Sequence, residues 1–204
     1  VIAVRERKAA VLGVVLLFVG GLFGSNLAQQ DDQAIHEALK KLLLTEDEVG
    51  ELLDGRWVLD QTGRLSNTKE ADLGNAISAF GIYLKRGRTR DDIVQLVTVL
   101  LQYPSESEAK VLFDRGLVSA IEPDPPSELP AECAKPVLEA LKEIADQVQF
   151  FKYTGSDKCD DPEGVRGLAF RKGTRVGVFR SKLPAEQFIL LARKQIEVVV
   201  KGRS

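Results

Sequence analysis

Hydrophobic positions along the chain change period several times, and each change marks an element. Ile35, Leu39, Leu42 and Leu43 recur at helical spacing and predict a helix over 31–44, read as a stalk. Thr45 and Glu48 form a capping box that starts a short helix carrying Val49, Leu52 and Leu53, with Gly55 placed to end it. Strands are predicted at 56–61, with Trp57 and Leu59 on one face, and at 79–85, where Phe80, Ile82 and Leu84 alternate with smaller or polar neighbours. The run 93–102 is apolar on both faces, which predicts a central strand or one whose second face is covered. Ser105 and Glu108 open a helix with Ala109, Leu112 and Phe113 inward. Five prolines within 122–136 predict a connector, followed by a helix over 136–146 and a strand over 148–153. A loop over 155–164 leads to a hairpin of 165–172 and 175–181 around Gly173-Thr174, and Pro184 suits the first turn of a closing helix.

Taken in order, 45–121 and 134–204 read as helix, strand, strand, strand, helix twice over. The likeness is local as well: Gly81-Ile82-Tyr83-Leu84-Lys85-Arg86-Gly87 stands over Gly167-Leu168-Ala169-Phe170-Arg171-Lys172-Gly173. Glycines, inward apolar positions and a basic pair before the turn coincide, which predicts an internal duplication. The fold class expected is α+β: one antiparallel sheet of about six strands with helices on one face, preceded by an N-terminal hydrophobic helix. An open sheet face, or a groove between the halves, is the expected place for a ligand.

The first thirty residues change the picture of location. Arg5, Arg7 and Lys8 precede an uncharged run from Ala9 to Gln30, the layout of a signal peptide or signal anchor. Residues 1–30 are therefore set apart from a domain over 45–204 expected outside the cytoplasm, secreted or anchored to the cell membrane. In that compartment Cys133 and Cys159, the two cysteines of the chain, are expected to pair. A helix rising and a strand returning between them bring both to one end of the sheet. A formal net charge of -2 argues against nucleic acid as partner.

The segment Leu42-Leu43-Leu44-Thr45-Glu46-Asp47-Glu48-Val49 before a strand, and Gly167–Gly173 before the last helix, resemble marks of a loose group. That group comprises extracytoplasmic sensor-like domains of bacterial lipoproteins and mycobacterial serine/threonine kinases. The resemblance implies an exported, disulfide-containing α+β unit with a cleft. The chain departs from it in having no kinase domain and no lipid-attachment cysteine after the apolar run.

Chemistry is sparse. The single histidine, His36, lies on the stalk-like helix and is expected to be exposed, away from any nucleophile pattern. Asp157, Asp160, Asp161 and Glu163 lack the spacing of a calcium loop and read as a solvent turn. Phe150, Phe151 and Tyr153 place aromatic rings on both faces of one strand and read as core. Two basic hairpin tips, Lys85, Arg86 and Arg88 on the first and Arg171, Lys172 and Arg175 on the second, are the candidate anion site. The sequence thus predicts a non-catalytic binding or sensing module without metal or cofactor. A membrane surface, an envelope polymer or a membrane complex is the partner class. The alternative is an accessory or structural subunit of such a complex.

Overall fold

The computed structural model describes residues 31–65, 73–86, 93–115, 127–156, 158–159, 161 and 164–202. The chain divides into two units, 1–35 and 36–204. Of the first, residues 31–35 are described and are helical; the hydrophobic segment 1–30, with its expected export role, lies outside the described residues.

The second unit contains helices α1 (36–42), α2 (Glu46–Leu53), α3 (Glu106–Asp114), α4 (Ala131–Leu141) and α5 (Ala185–Lys201). Its strands are β1 (Trp57–Gly63), β2 (Ile77–Arg86), β3 (Ile93–Gln102), β4 (Ser127–Glu128), β5 (Gln147–Lys152), β6 (Arg166–Lys172) and β7 (Arg175–Ser181). They form one sheet in the order β1-β2-β3-β7-β6-β5-β4, antiparallel at every pair. The α+β class and the antiparallel sheet are as expected, but the described strands number seven rather than six. The extra one is β4, two residues of the proline-rich connector laid against Phe151 and Lys152 of β5. Prolines there exclude a long strand, and a two-residue bridge at a sheet edge is what they tolerate.

The element order repeats. α2-β1-β2-β3-α3 is followed by α4-β5-β6-β7-α5, and β3 meets β7 at the centre of the sheet. Lys85 pairs with Val94 and Arg171 with Val176, so the seven-residue likeness falls on corresponding hairpin strands, but on opposite sheet faces: Tyr83 and Val94 face the first core, Ala169 and Val176 the second. The hairpin connections differ by four residues, 87–92 against 173–174. β1 carries a bulge between Leu59 and Gln61 that the β5 ladder lacks.

Helices on one face was the expectation; they occupy both. Leu39, Leu42, Val49, Val137, Leu141, Phe188, Leu191 and Ile196, from α1, α2, α4 and α5, share a core with Tyr83, Leu96, Leu100, Leu168, Phe170 and Phe179 of the sheet. Ala109 and Phe113 of α3 instead pack on the other side with Val99, Leu101, Ala169, Val176 and Val178. α1, α2, α4 and the 17-residue α5, about 25 Å long, together cover the first face, α5 meeting α2 through Lys194 and Glu48, and α3 lies on the second. The double-sided apolarity of β3 is thereby satisfied, since it is central and sits between two layers.

Two further expectations fail for packing reasons. The helix read as a stalk is part of the domain from His36 onward: Leu39, Leu42 and Leu43 are buried, and so is His36, whose Nδ1 donates to Ser78 O at 2.7 Å. The helix placed at 136–146 starts at Ala131, with Pro130 as extended N-cap and Pro136 inside it. Cys133 is therefore in a helical first turn, joined to Cys159 with Cα atoms 5.0 Å apart and sulfurs at 1.99 Å. Closing this loop of 26 residues contributes about 3 kcal/mol by the chain-entropy argument.

Ring-over-glycine pairs hold the register. Phe80 faces Gly63, Phe151 faces Gly167 and Phe170 faces Gly177 on adjacent strands. A Cβ on Gly167 would lie 2.1 Å from Phe151 Cε2, inside any real contact distance. Gly167→Ala is therefore expected to destabilise by about 2–3 kcal/mol, at the upper end of overpacking costs. Adding Phe151→Leu should recover part of the loss, because it removes the obstructing ring edge. Denaturant midpoints of the single and double variants decide it, and strictly additive losses would contradict the ring-over-glycine explanation.

Candidate functional site

The two basic tips do not meet. β3 and β7 are antiparallel, with Gln102 opposite Arg175 and Leu96 opposite Ser181. The turn 173–174 thus sits where β3 ends, and the 87–92 connection joins strands at the end where β3 begins. Eight residue steps, roughly 26 Å, separate Val94 opposite Lys85 from Gln102 opposite Arg175. That is about three Debye lengths of about 8 Å, so Lys85 does not share an anion site with Arg171, Lys172 and Arg175.

Most of these cations already have a structural use. Lys85 Nζ donates to Asp54 O at the end of α2 and lies 6.0 Å from the Trp57 ring centroid. Arg175 donates to Gln102 Oε1 at 2.9 Å and to Val199 O in the last turn of α5. Both place positive charge where helix carbonyls lack partners and the helix dipole is negative. Arg171, nearly buried, donates to Gln147 Oε1 at 2.6 Å and Gly173 O at 3.1 Å and faces Asp146 at 3.3 Å. Lys172 Nζ is 3.2 Å from the same carboxylate. The Arg86 side chain and Arg88 lie outside the described residues.

Asp146 closes the second hairpin by accepting from Gly173 N at 2.7 Å; Gly173 turns the chain with φ +59°. Burial raises the Asp146 carboxyl, but the Gly173 bond, the Lys172 bond and the Lys172 and Arg171 charges outweigh it and hold the pKa below its ordinary value.

Sequence reasoning missed a groove of about 610 Å³ that runs between the α1–α2 junction and edge strand β1, over Leu43, Leu44, Leu59 and Thr62. Lys40, Lys41, Thr45, Glu46 and Asp47 rim it. Its wall is fixed from inside: Gln195 Nε2 donates to Leu42 O at 2.6 Å, and the buried Tyr83 hydroxyl to Leu44 O. The expected capping box is present, with Glu48 N on Thr45 Oγ1 at 3.2 Å and Thr45 N on Glu48 Oε2 at 2.8 Å. Glu46 reaches across the groove and accepts the Leu59 N–H at 2.6 Å. The segment Leu42–Val49 held the only sequence signal for this groove.

A second hollow, about 320 Å³, opens beside α5 over Ile144, Ile196 and Val200, rimmed by Lys172, Arg193, Glu197 and Lys201. The aromatic strand is core: Phe150 meets Phe188 edge-on at 5.7 Å, and Phe151 meets Tyr153 at 5.4 Å on the opposite face. Of the acidic loop, Asp161 accepts from Ser156 N at 2.6 Å; Asp157, Asp160 and Glu163 lie outside the described residues. Among the described residues no cluster of His, Cys, Asp and Glu could hold a metal ion, and no helix is long and apolar enough to cross a membrane.

The Asp146 contacts carry a pH signature. A depressed carboxyl contributes stability that is full above the unfolded pKa of about 3.9 and is lost as pH falls through the lower folded value. Asp146→Asn should cost about 1 kcal/mol at pH 7 and progressively less as pH falls below about 4. Chemical denaturation at pH 7 and pH 3 measures the difference; an equal loss at both would contradict the charged contact. In comparisons with protein-family models, curated proteins and solved structures, nothing matches this chain.

Proposed function

We propose that the chain is a non-catalytic binding or sensing module working outside the cytoplasm, with the groove between the α1–α2 junction and β1 as its ligand site. One observation carries this reading. The groove combines an apolar floor with a few convergent polar groups at about 610 Å³, within the 300–1,000 Å³ range of small-ligand sites. The sequence likeness of Leu42–Val49 to extracytoplasmic sensor-like domains supports it, because those residues build one wall. The hydrophobic segment 9–30 and the Cys133–Cys159 pair support the location, since such pairs persist in oxidising compartments. The repeated element order supports an origin by internal duplication, after which the halves took different roles: the first carries the groove, the second the disulfide.

A fragment screen read by amide chemical shifts tests this reading. Hits should move the amides of 40–47, 59 and 62 together, and Leu59→Arg should abolish the response while leaving the fold intact. Hits that leave these amides still, or no hits at all, would contradict it.

A second reading, an accessory subunit of a membrane complex, is favoured by the second sheet face. Val58 and Ile93 are 46% and 51% exposed there, beside half-buried Ile82, Leu84 and Val97. Val58→Lys would then leave the isolated domain folded and release it from its complex in membrane extracts. Retention of the complex would count against this second reading.

A further inference from the structure

α5 is amphipathic, burying Phe188, Leu191, Ala192, Ile196 and Val199 against the sheet core. Its outward side should be polar, yet Val200 in the last turn is 59% exposed. Val200 is not isolated: with Ile196 and Ile144, from the turn after α4, it forms the apolar floor of the 320 Å³ hollow. The rim carries three cations, Lys172, Arg193 and Lys201, and one carboxylate, Glu197.

The charges differ in how far they are engaged. Lys201 lies 2.8 Å from Glu197 and Lys172 lies 3.2 Å from Asp146. The exposed Arg193 donates one bond, to Ala140 O at 3.0 Å, and has no carboxylate partner among the described residues. A guanidinium has five N–H donors in a planar fork suited to a carboxylate or phosphate. The partial negative charge at the end of α5 would oppose an anion there, but Arg175 already sits on the Val199 carbonyl and Gly202 N on that of Val198. The excess of cations therefore faces the hollow.

We propose that this hollow binds a free, single-chain amphiphilic anion of the fatty-acid type. The aliphatic chain lies on Ile144, Ile196 and Val200, and the carboxylate meets Arg193 with Lys172 beside it. Concavity and small volume select one chain: 320 Å³ is at the low end for ligand sites, too little for a two-tailed lipid, and a bilayer would need a protruding apolar surface. The site is separate from the β1 groove and stands or falls independently of it.

Dodecanoate below its micelle concentration, titrated calorimetrically into the full chain, tests the proposal. Saturable one-to-one binding is expected, weakened about tenfold or more by Arg193→Glu, as loss of a charge-assisted contact requires. Val200→Asp, which spoils the floor, should weaken it comparably, and Arg193→Lys should retain part of the affinity. Both positions are exposed, and thermal melts of the variants check that the fold persists. Uncharged dodecanol should bind at least about tenfold more weakly than dodecanoate. Three results would each overturn the proposal: no dodecanoate binding, binding unchanged by both Arg193→Glu and Val200→Asp, or equal affinity for dodecanol. Capture by phosphatidylglycerol vesicles that is lost in Arg193→Glu, without dodecanoate binding, would assign the patch to a membrane surface and overturn it as well.

Discussion

The ladder between β3 and β7 is the contact on which the rest of the architecture depends. Among the described residues it is the only strand pairing that joins the two three-stranded halves, and it aligns Leu96 through Gln102 with Ser181 through Arg175. Two equivalent strands paired antiparallel are related by a two-fold axis perpendicular to the sheet. That axis sends equivalent features of the halves to opposite ends. The basic hairpins consequently point away from each other, however similar their sequences, and each must find its own electrostatic partners.

Those partners are largely backbone carbonyls at helix ends and one carboxylate. Lys85 serves the end of α2, Arg175 the end of α5, and Asp146 gathers Gly173, Lys172 and Arg171 into a closed turn. A cation count along the sequence therefore overstates the charge available to a ligand. Arg193, without a carboxylate partner among the described residues, is more available than the basic tip residues beside it. The helices depart from the two-fold arrangement. α5 packs in the first core with α1, α2 and α4, whereas α3 packs on the other face. Symmetry thus holds in the order and direction of the strands and fails in the helices α3 and α5, so the halves present different surfaces.

Much of this was legible in the chain, and the reasons are specific. β3 announced its central place by being apolar on both faces, and the capping box at Thr45 and the Ser105 N-cap, which accepts from Glu108 N without the reciprocal bond, set the starts of α2 and α3. The likeness of 81–87 to 167–173 located two hairpins but not their facing: Tyr83 packs in the first core and its counterpart Ala169 in the second, so the likeness runs one residue out of phase with the sheet faces. What failed was whatever depends on long-range packing. The burial of His36 rests on Ser78, 42 residues away, and nothing near His36 signals it. The start of α4 was misplaced because Pro136 looked like a first-turn proline, whereas the helix carries it internally and begins beyond Pro130. The β1 groove was invisible as a site because its floor residues, Leu43, Leu44 and Leu59, read as ordinary core positions.

Cross-strand nuclear Overhauser contacts at the seam between the halves test the central claim most directly. The register predicts backbone contacts between Val99 and Val178 and between Val97 and Arg180, with β3 and β7 running in opposite directions. Those contacts would establish the two-fold arrangement and the separation of the basic turns with it. Contacts from β3 to β5, or a parallel β3–β7 pattern, would contradict the account.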